Sequence, residues 1–361
     1  MAPEKVGIVI VNYKDYANKF LPECLTGLRK QSWDGITQLF IVDNKTSAES
    51  FVFIKKHAPA AEVIRNLNND GFAKGNNDGI KQAMINGCDY IFLLNMDTVA
   101  DKDCVKNLVS AIKSNKKIGA VQARLMLADK PNVVNSLGNV THFLGFGFSK
   151  GYREKFKDNN QLIPPWRDKN HRLTDIAYPS GAAVLLKKEV LEHIGLFDEE
   201  FWMYNEDQDL GWRIWLSGYK CVLAPNAVVY HKYEFSRSVK KYYWLDRNRI
   251  VAMIKNYHWL TLILIMPAFV IMEFGLVLFS LKSGWFREKA RVWFYFCKPR
   301  VWLYLYNSRK QSQKIRKVQD RVIVKMFSGR IWYQEVDDIK LRLINPIFNW
   351  YWFIVKKIII W

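Results

Sequence analysis

Residues 90–97 read Tyr-Ile-Phe-Leu-Leu-Asn-Met-Asp. Five apolar, strand-forming residues in a row predict a β-strand buried on both faces. The run stops abruptly at Asn95 and Asp97. Positions two apart on an extended segment point the same way, so both side chains reach one point beyond the strand end. Two hard oxygen donors there suit Mg²⁺ or Mn²⁺ bridging a diphosphate. A strand-end turn capped by Asp97 is the plainer alternative.

Toward the N-terminus the same texture repeats. Short β-rich runs at Val6–Val11, Leu39–Val42 and Glu62–Ile64 alternate with helix-like stretches near Ala17–Lys30, Ser47–His57 and Ala73–Asn86, and a further helix is expected over Asp101–Ser114. This alternation predicts βαβ units, hence an α/β chain with a mainly parallel central sheet and flanking helices. Ligands in such sheets bind beyond the carboxyl ends of the strands. The residues closing each strand therefore carry the functional reading. Val11 and Asn12 close the first. Asp43 closes the second, as an acceptor for a nucleotide base or ribose or as a helix-capping turn residue. Asn69, Gly71, Phe72, Ala73, Gly75 and Asn76 open the helix after the third. Small residues there allow close backbone approach to a phosphate, although the third glycine of the dinucleotide pattern is missing, and a simple turn has the same composition.

Beyond Asp97 the segment Pro131–Ile176, with Gly145, Gly147, Gly151, Pro164 and Pro165, reads as a long irregular connection suited to an acceptor loop or lid. Regular structure is expected again as a strand over Ala182–Leu186, helices near Lys188–Ile194 and Glu206–Ser217, and a strand at Cys221–Leu223. The segment Phe197–Leu210 packs acidic residues among aromatic rings. Acids at a helix start are ordinary macrodipole partners. Near apolar rings a carboxyl also acquires a raised pKa, which fits Asp207 or Glu206 as general base, with Trp202 or Tyr204 offering a flat face to an acceptor sugar. His231 follows the apolar run Ala227–Tyr230, placed either structurally or as a metal ligand.

The chain has 361 residues and a net charge of +20, with aromatic content of 15% including 14 Trp. That charge points to an anionic partner. The five dispersed cysteines fit free thiols in a reducing compartment, and the absence of a signal-peptide pattern before Val6 places the N-terminal part in the cytoplasm. After about Lys240 the texture changes. Trp259–Leu281 is almost wholly apolar, a basic stretch interleaved with Trp and Tyr follows, and Ile344–Trp361 is apolar again. A single span over Trp259–Leu281 would send the basic stretch to the far side, against the positive-inside tendency. Helices lying in or dipping into the cytoplasmic leaflet are expected instead, with Lys and Arg meeting anionic lipid; a two-crossing hairpin and a soluble helical domain are the alternatives.

Taken together, VNYK at Val11–Lys14, IVDN at Ile41–Asn44, NNDGFAKGNNDGI at Asn68–Ile80, LLNMD at Leu93–Asp97, the long block Pro179–Arg213 and YH at Tyr230–His231 keep a characteristic order and spacing. Over roughly residues 1–240 the chain resembles the inverting glycosyltransferases of family 2 with the GT-A fold, nearest to rhamnosyltransferase-like bacterial and archaeal members. The resemblance implies a catalytic domain over 1–240 and a basic, aromatic, membrane-associated helical region over 241–361. It implies that Asp43 holds base or ribose, that Asn69 to Asn76 line the nucleotide site, that Asp97 and His231 bind Mn²⁺ or Mg²⁺, and that Asp207 is the base. Asn95 stands where the family more often has aspartate, which leaves its direct ligation open. The implied partners are a UDP- or dTDP-sugar donor, a glycan or lipid-linked acceptor and an anionic membrane surface. A sugar-nucleotide-forming nucleotidyltransferase is the closer rival. A basic nucleic-acid-binding protein is the remoter one, since no recognition motif stands out.

Overall fold

A computed structural model describes residues 3–156, 173–233, 239–332 and 339–361. The expected alternation is present. Strands β1 (Lys5–Tyr13), β2 (Ile36–Asn44), β3 (Glu62–Asn66) and β4 (Tyr90–Leu94) are separated by α1 (Tyr16–Arg29), α2 (Ala48–His57) and α3 (Gly71–Ile85). Next come β5 (Thr98–Ala100), α4 (Cys104–Lys113), β6 (Ile118–Leu127), β7 (Val134–Ser136), β8 (Asn139–Thr141), β9 (Gly147–Ser149), β10 (Thr174–Asp175) and β11 (Ala183–Lys187). The chain then forms α5 (Lys188–Ile194), α6 (Glu206–Leu216) and β12 (Lys220–His231). Helices α7 (Lys241–Asn256), α8 (Trp259–Lys282), α9 (Phe286–Phe296), α10 (Pro299–Lys314), α11 (Asp320–Ile323) and α12 (Ile339–Ile358) complete it.

The main sheet runs β10-β12-β6-β11-β4-β1-β2-β3. Strands β3, β2, β1 and β4 are parallel, and β6 and β12 are parallel to each other. β11 is antiparallel to both β4 and β6, which makes the α/β sheet mixed but mostly parallel. β4 is buried at every position, as its apolar run requires. Because the strands run side by side in one direction, their carboxyl ends form one rim: Asn12 pairs with Asp43, and Asn44 with Asn66.

One strand is added and two expectations are corrected. β6, ten residues long, is absent from the sequence reading because Gln122 and Arg124 interrupt its apolar run. Gln122 is nevertheless wholly buried, its Oε1 accepting from Ser180 N at 2.7 Å and its Nε2 donating to Ser136 Oγ at 3.2 Å. The strand expected at Cys221–Leu223 extends to His231, with a register shift between Ala224 and Val228 that absorbs Pro225 as a bulge. The segment Pro131–Ile176 is not wholly irregular: it contains β7 to β10, while Pro164 and Pro165 lie outside the described residues.

The helices after Lys240 pack on the sheet domain. One hydrophobic core joins Val9 and Leu93 to Trp212, then Ile265, Ala268 and Met272 of α8, and Phe348, Trp352 and Val355 of α12. Glu273, the acid inside the apolar α8, bonds Arg249 of α7 and Lys289 of α9, and both cations also hold the buried Asp246. A charge that would be costly alone is thus paired in a four-residue cluster.

Candidate active site

The rim of the parallel strands is built from amides and carboxylates that hold one another. Asn12 and Asp43 have no exposed surface. Asn12 Nδ2 donates to Asp43 Oδ1 at 2.7 Å, and Asn12 Oδ1 accepts from Ala17 N at the start of α1. Asp43 Oδ2 accepts from Thr46 Oγ1 at 2.6 Å and Ser50 Oγ at 2.7 Å. Most of the Asp43 acceptor capacity is therefore spent inside the protein, shaping the turn into α2. Ser47 and Ser50 complete a capping box there.

Next along the rim, Asn44 Nδ2 donates to Gly71 O at 3.1 Å and Asn69 Oδ1 at 3.3 Å, while Asn44 Oδ1 accepts from Asp70 N. This fixes the turn that opens α3. Gly71 has φ +84°, and a Cβ there would lie 2.5 Å from both Trp202 O and Trp202 Cδ1. Only glycine permits that approach. Ala73 N donates to Trp202 O at 3.1 Å, so the turn and the acidic-aromatic segment are locked together. Phe72 packs near Gly181 and edge-on to Phe197. Asn76 is buried, bonded to Phe72 O, and Val11 lies under Gly75.

At the end of β4, Asn95 N donates to Ala182 O at 2.9 Å, and Thr98 Oγ1 donates to Asn95 O. The chain turns through Asp97 into β5, which pairs antiparallel with the end of β12 so that Thr98 faces His231. Asp97 Oδ1 and His231 Nε2 come to 3.4 Å. On the other side of the ring, His231 Nδ1 is 2.9 Å from Asn135 Oδ1. A carboxylate and an imidazole, the latter oriented by an amide oxygen, form a donor set that suits a divalent cation. Among the described residues no third His, Cys, Asp or Glu joins them. The pair would supply two protein ligands to such a cation.

The two acids at the start of α6 differ. Asp207 Oδ1 accepts from Gln208 N at 2.8 Å and Oδ2 from Gly181 N at 3.3 Å. Burial pushes its carboxyl up to about 6, against those backbone bonds. Glu206 is buried, and its Oε2 has no hydrogen-bonding partner among the described residues. Burial, followed by the neighbouring Asp207 charge, holds it well above the usual carboxylate range. Both carboxyls are thus raised by burial, and Asp207 is the one whose charge two backbone N–H groups stabilise. Asp209, two residues on, is structural. Despite complete burial it is held down to about 2 by Lys255 and Arg213.

Trp202 stacks on Trp244 of α7, with centroids 4.8 Å apart, and the Tyr204 phenol is pushed upward by burial and by Glu206. The sequence signals Asn44 and Asn77 only as members of their motifs, and Thr46, Ser50, Asn135 and Asn248 not at all. Asn77 is the clearest: its Nδ2 donates to Phe197 O and its Oδ1 accepts from Phe197 N, 120 positions away. Nothing in local spacing signals that contact.

Asp207 and Asp97 belong to one neighbourhood. Asp207 is bonded to Gly181 N, and the next residue, Ala182, is bonded to Asn95 N at the end of β4. Known proteins are similar to this chain in sequence and in fold. A poly-β-1,6-N-acetyl-D-glucosamine synthase of Staphylococcus epidermidis is 26% identical over 160 residues, covering 44% of this chain and 34% of that protein. The S. aureus strain COL protein of the same name gives the same figures. This chain thus matches about a third of the length of those relatives. In fold, the crystal structure of S. aureus TarS is similar with TM-score 0.52 at 15% identity, over 98% of this chain and 53% of that one. GalNAc-T7, crystallised with UDP, GalNAc and Mn²⁺, is similar with TM-score 0.52 at 14% identity, over 69% and 48%. The description "Glycosyl transferase family 2" matches residues 7–195. That match takes in the Asn12–Asp43 rim, the Gly71 turn and Asp97, and by it the chain belongs to glycosyl transferase family 2.

Proposed function

We propose that this protein transfers a sugar, with inversion, from a UDP- or dTDP-sugar to a hydroxyl of a lipid-linked glycan. The observation that supports this reading is the bonded path Asp207–Gly181–Ala182–Asn95, which links the base candidate to the strand end two residues before Asp97. Asp207, ionised above about pH 6, accepts the proton of the acceptor hydroxyl as its oxygen attacks the anomeric carbon. The opposite bond, to the diphosphate, breaks as the new one forms. Asp97 and His231 would hold Mn²⁺ or Mg²⁺, whose charge favours the departing diphosphate. Asn44, Asn69 and the Gly71 turn line the donor side, with Asp43 and Asn12 bracing them. Trp202 and Tyr204 flank the acceptor side. The names of the relatives, a glucosamine polymer synthase and a protein crystallised with UDP and Mn²⁺, support a nucleotide-sugar donor and a glycan acceptor.

We also place the protein at the cytoplasmic face of a membrane. α8 is long and apolar enough to cross one, and only 17% of its most apolar window is buried. Its inner residues pack with α12, and Glu273 ties it to α7 and α9. Those ties favour a helix lying in the leaflet over one that spans it. The +20 charge complements anionic headgroups.

The test is incubation with a panel of UDP- and dTDP-sugars, Mn²⁺ and a lipid-linked acceptor extract. Release of nucleoside diphosphate supports transfer. Release of pyrophosphate, or of neither, overturns it, and pyrophosphate assigns the nucleotidyltransferase activity instead.

A further inference from the structure

The segment that presents Asp207 is held from outside the sheet. Its backbone passes through conformations that L-residues resist, with φ 59° at Trp202, 69° at Tyr204 and 65° at Asn205, none of them glycine. Each such residue costs roughly 1 kcal/mol or more and persists only where its surroundings over-determine it. Those surroundings are supplied by α7, beyond residue 195 where the family match ends.

Asn248 has no exposed surface. Its Nδ2 lies 2.9 Å from Phe201 O, 2.9 Å from Met203 O and 2.7 Å from Tyr204 O. One amide group therefore gathers three carbonyls of the strained loop. The flanks are tied as well. The Arg247 guanidinium donates to Glu200 O, and the Tyr295 hydroxyl to Glu200 Oε1 at 2.9 Å. The Tyr304 hydroxyl donates to Asp198 Oδ2 at 2.6 Å, and Asn256 Nδ2 to Asp209 Oδ1 at 2.9 Å. The Lys255 ammonium pairs with both Asp198 and Asp209, one on each side of the loop.

We propose that Asn248 is a positioning residue for the transfer site, fixing the Phe201–Tyr204 backbone so that α6 begins with Asp207 against Gly181. This rests on the transfer reading above. Asn248 Nδ2 bonds only loop carbonyls, and its Oδ1 accepts from Arg247 Nε at 2.8 Å, the guanidinium that also donates to Glu200 O, so among the described residues it acts through the loop. Helix α7 is then a wall of the active site, and the region after Lys240 is more than an anchor.

The test is Asn248→Asp, which keeps the shape and removes both donors, made in the full chain. We expect kcat for nucleoside diphosphate release to fall at least about tenfold, with donor KM within about threefold and UDP–Mn²⁺ affinity unchanged. Hydrogen exchange at residues 201–208 should accelerate at least about tenfold while β1 and β4 stay protected. A folded variant with kcat within about threefold of wild type, or with unchanged exchange in that segment, overturns the proposal. So does a loss of UDP affinity and sheet protection in step with kcat, which marks Asn248 as a general fold residue. Should the variant not fold, the double substitution Tyr295→Phe, Tyr304→Phe loosens the same bracket. It should lower kcat by about threefold or more at constant donor KM, and unchanged kcat again overturns the idea. If wild type releases no nucleoside diphosphate, the transfer reading fails, while the exchange measurement still decides whether Asn248 holds the loop.

Discussion

His231 Nε2 lies 3.4 Å from Asp97 Oδ1, while Nδ1 of the same ring lies 2.9 Å from Asn135 Oδ1. An amide oxygen only accepts, so with this amide orientation Nδ1 carries the hydrogen and Nε2 is the ring atom turned toward the carboxylate. A ring nitrogen and a carboxylate oxygen at this spacing are two ligands that one cation would share. Asp97→Ala and His231→Ala should each remove the Mn²⁺-dependent strengthening of UDP binding. Asn135→Ala, which frees the ring to rotate, should weaken metal affinity by about tenfold. Titration calorimetry of UDP with and without Mn²⁺ reads all three, and metal dependence that survives in Asp97→Ala removes the pair from the donor site.

Asp207 should impose an acid limb on kcat/KM with a midpoint near pH 6, because it must be ionised to act and burial has raised its carboxyl to about 6. Asp207→Asn should lower kcat by about a thousandfold or more while leaving UDP affinity nearly intact. Stability moves the other way. A carboxyl raised from 3.8 to about 6 binds more protons folded than unfolded, so it costs stability increasingly as pH rises between those values. The asparagine should therefore raise Tm at pH 8, by at most roughly 3 kcal/mol in equivalent stability, and the gain should vanish near pH 3. A gain over wild type no larger at pH 8 than at pH 3 would show that Asp207 is not burdened by burial.

Gly71→Ala tests the joint between the donor turn and the acceptor segment. Its Cβ would meet Trp202 O at 2.5 Å, a backbone atom that cannot swing aside, and φ +84° adds strain of its own. The substitution should cost about 1–3 kcal/mol and raise KM for donor and acceptor together, since the Trp202 loop must shift. Steady-state kinetics varying each substrate separates the outcomes: a rise in donor KM alone means the turn moves independently of the loop.

What was legible in the sequence follows a physical line. Asp43 and Asp97 announce themselves because a strand that stops at a polar residue is a local event, written in adjacent letters. The partners that finish the site are not local. Ser50 bonds Asp43, but in sequence it is only a capping serine. Asn77 reaches Phe197 across 120 positions, and Asn248 sits in a stretch whose charge and aromatics read as a membrane tail. β6 was missed because the buried Gln122 is satisfied by Ser180, a partner no pattern of hydrophobicity reveals. β12 was read as two pieces because Pro225–Asn226 has turn composition, whereas the sheet accepts it as a bulge. Glu273 looked like an interruption of α8 and is one corner of an ion cluster.

The membrane assignment needs a test that spares the active site. Removing everything after Lys240 would take away Asn248 and the inner faces of α8 and α12, so loss of binding there would report unfolding. The outer faces offer cleaner positions. Ile271 is 64% exposed and Phe274 66% exposed on α8, and Trp350 is 66% exposed on α12. Burying an apolar side chain of this size in lipid contributes about 1.5–3 kcal/mol, and a carboxylate in its place adds repulsion from anionic headgroups. Ile271→Asp with Phe274→Asp should therefore cut co-sedimentation with phosphatidylglycerol-containing vesicles by at least about tenfold. Turnover of a soluble donor should stay within about twofold, because both side chains are largely exposed and lie outside the hydrophobic core. Raising the salt to 0.5 M should weaken wild-type binding through the screened +20 charge and leave the apolar part in place. A double variant that still sediments like wild type at both salt concentrations would mean that the exposed face of α8 meets something other than lipid.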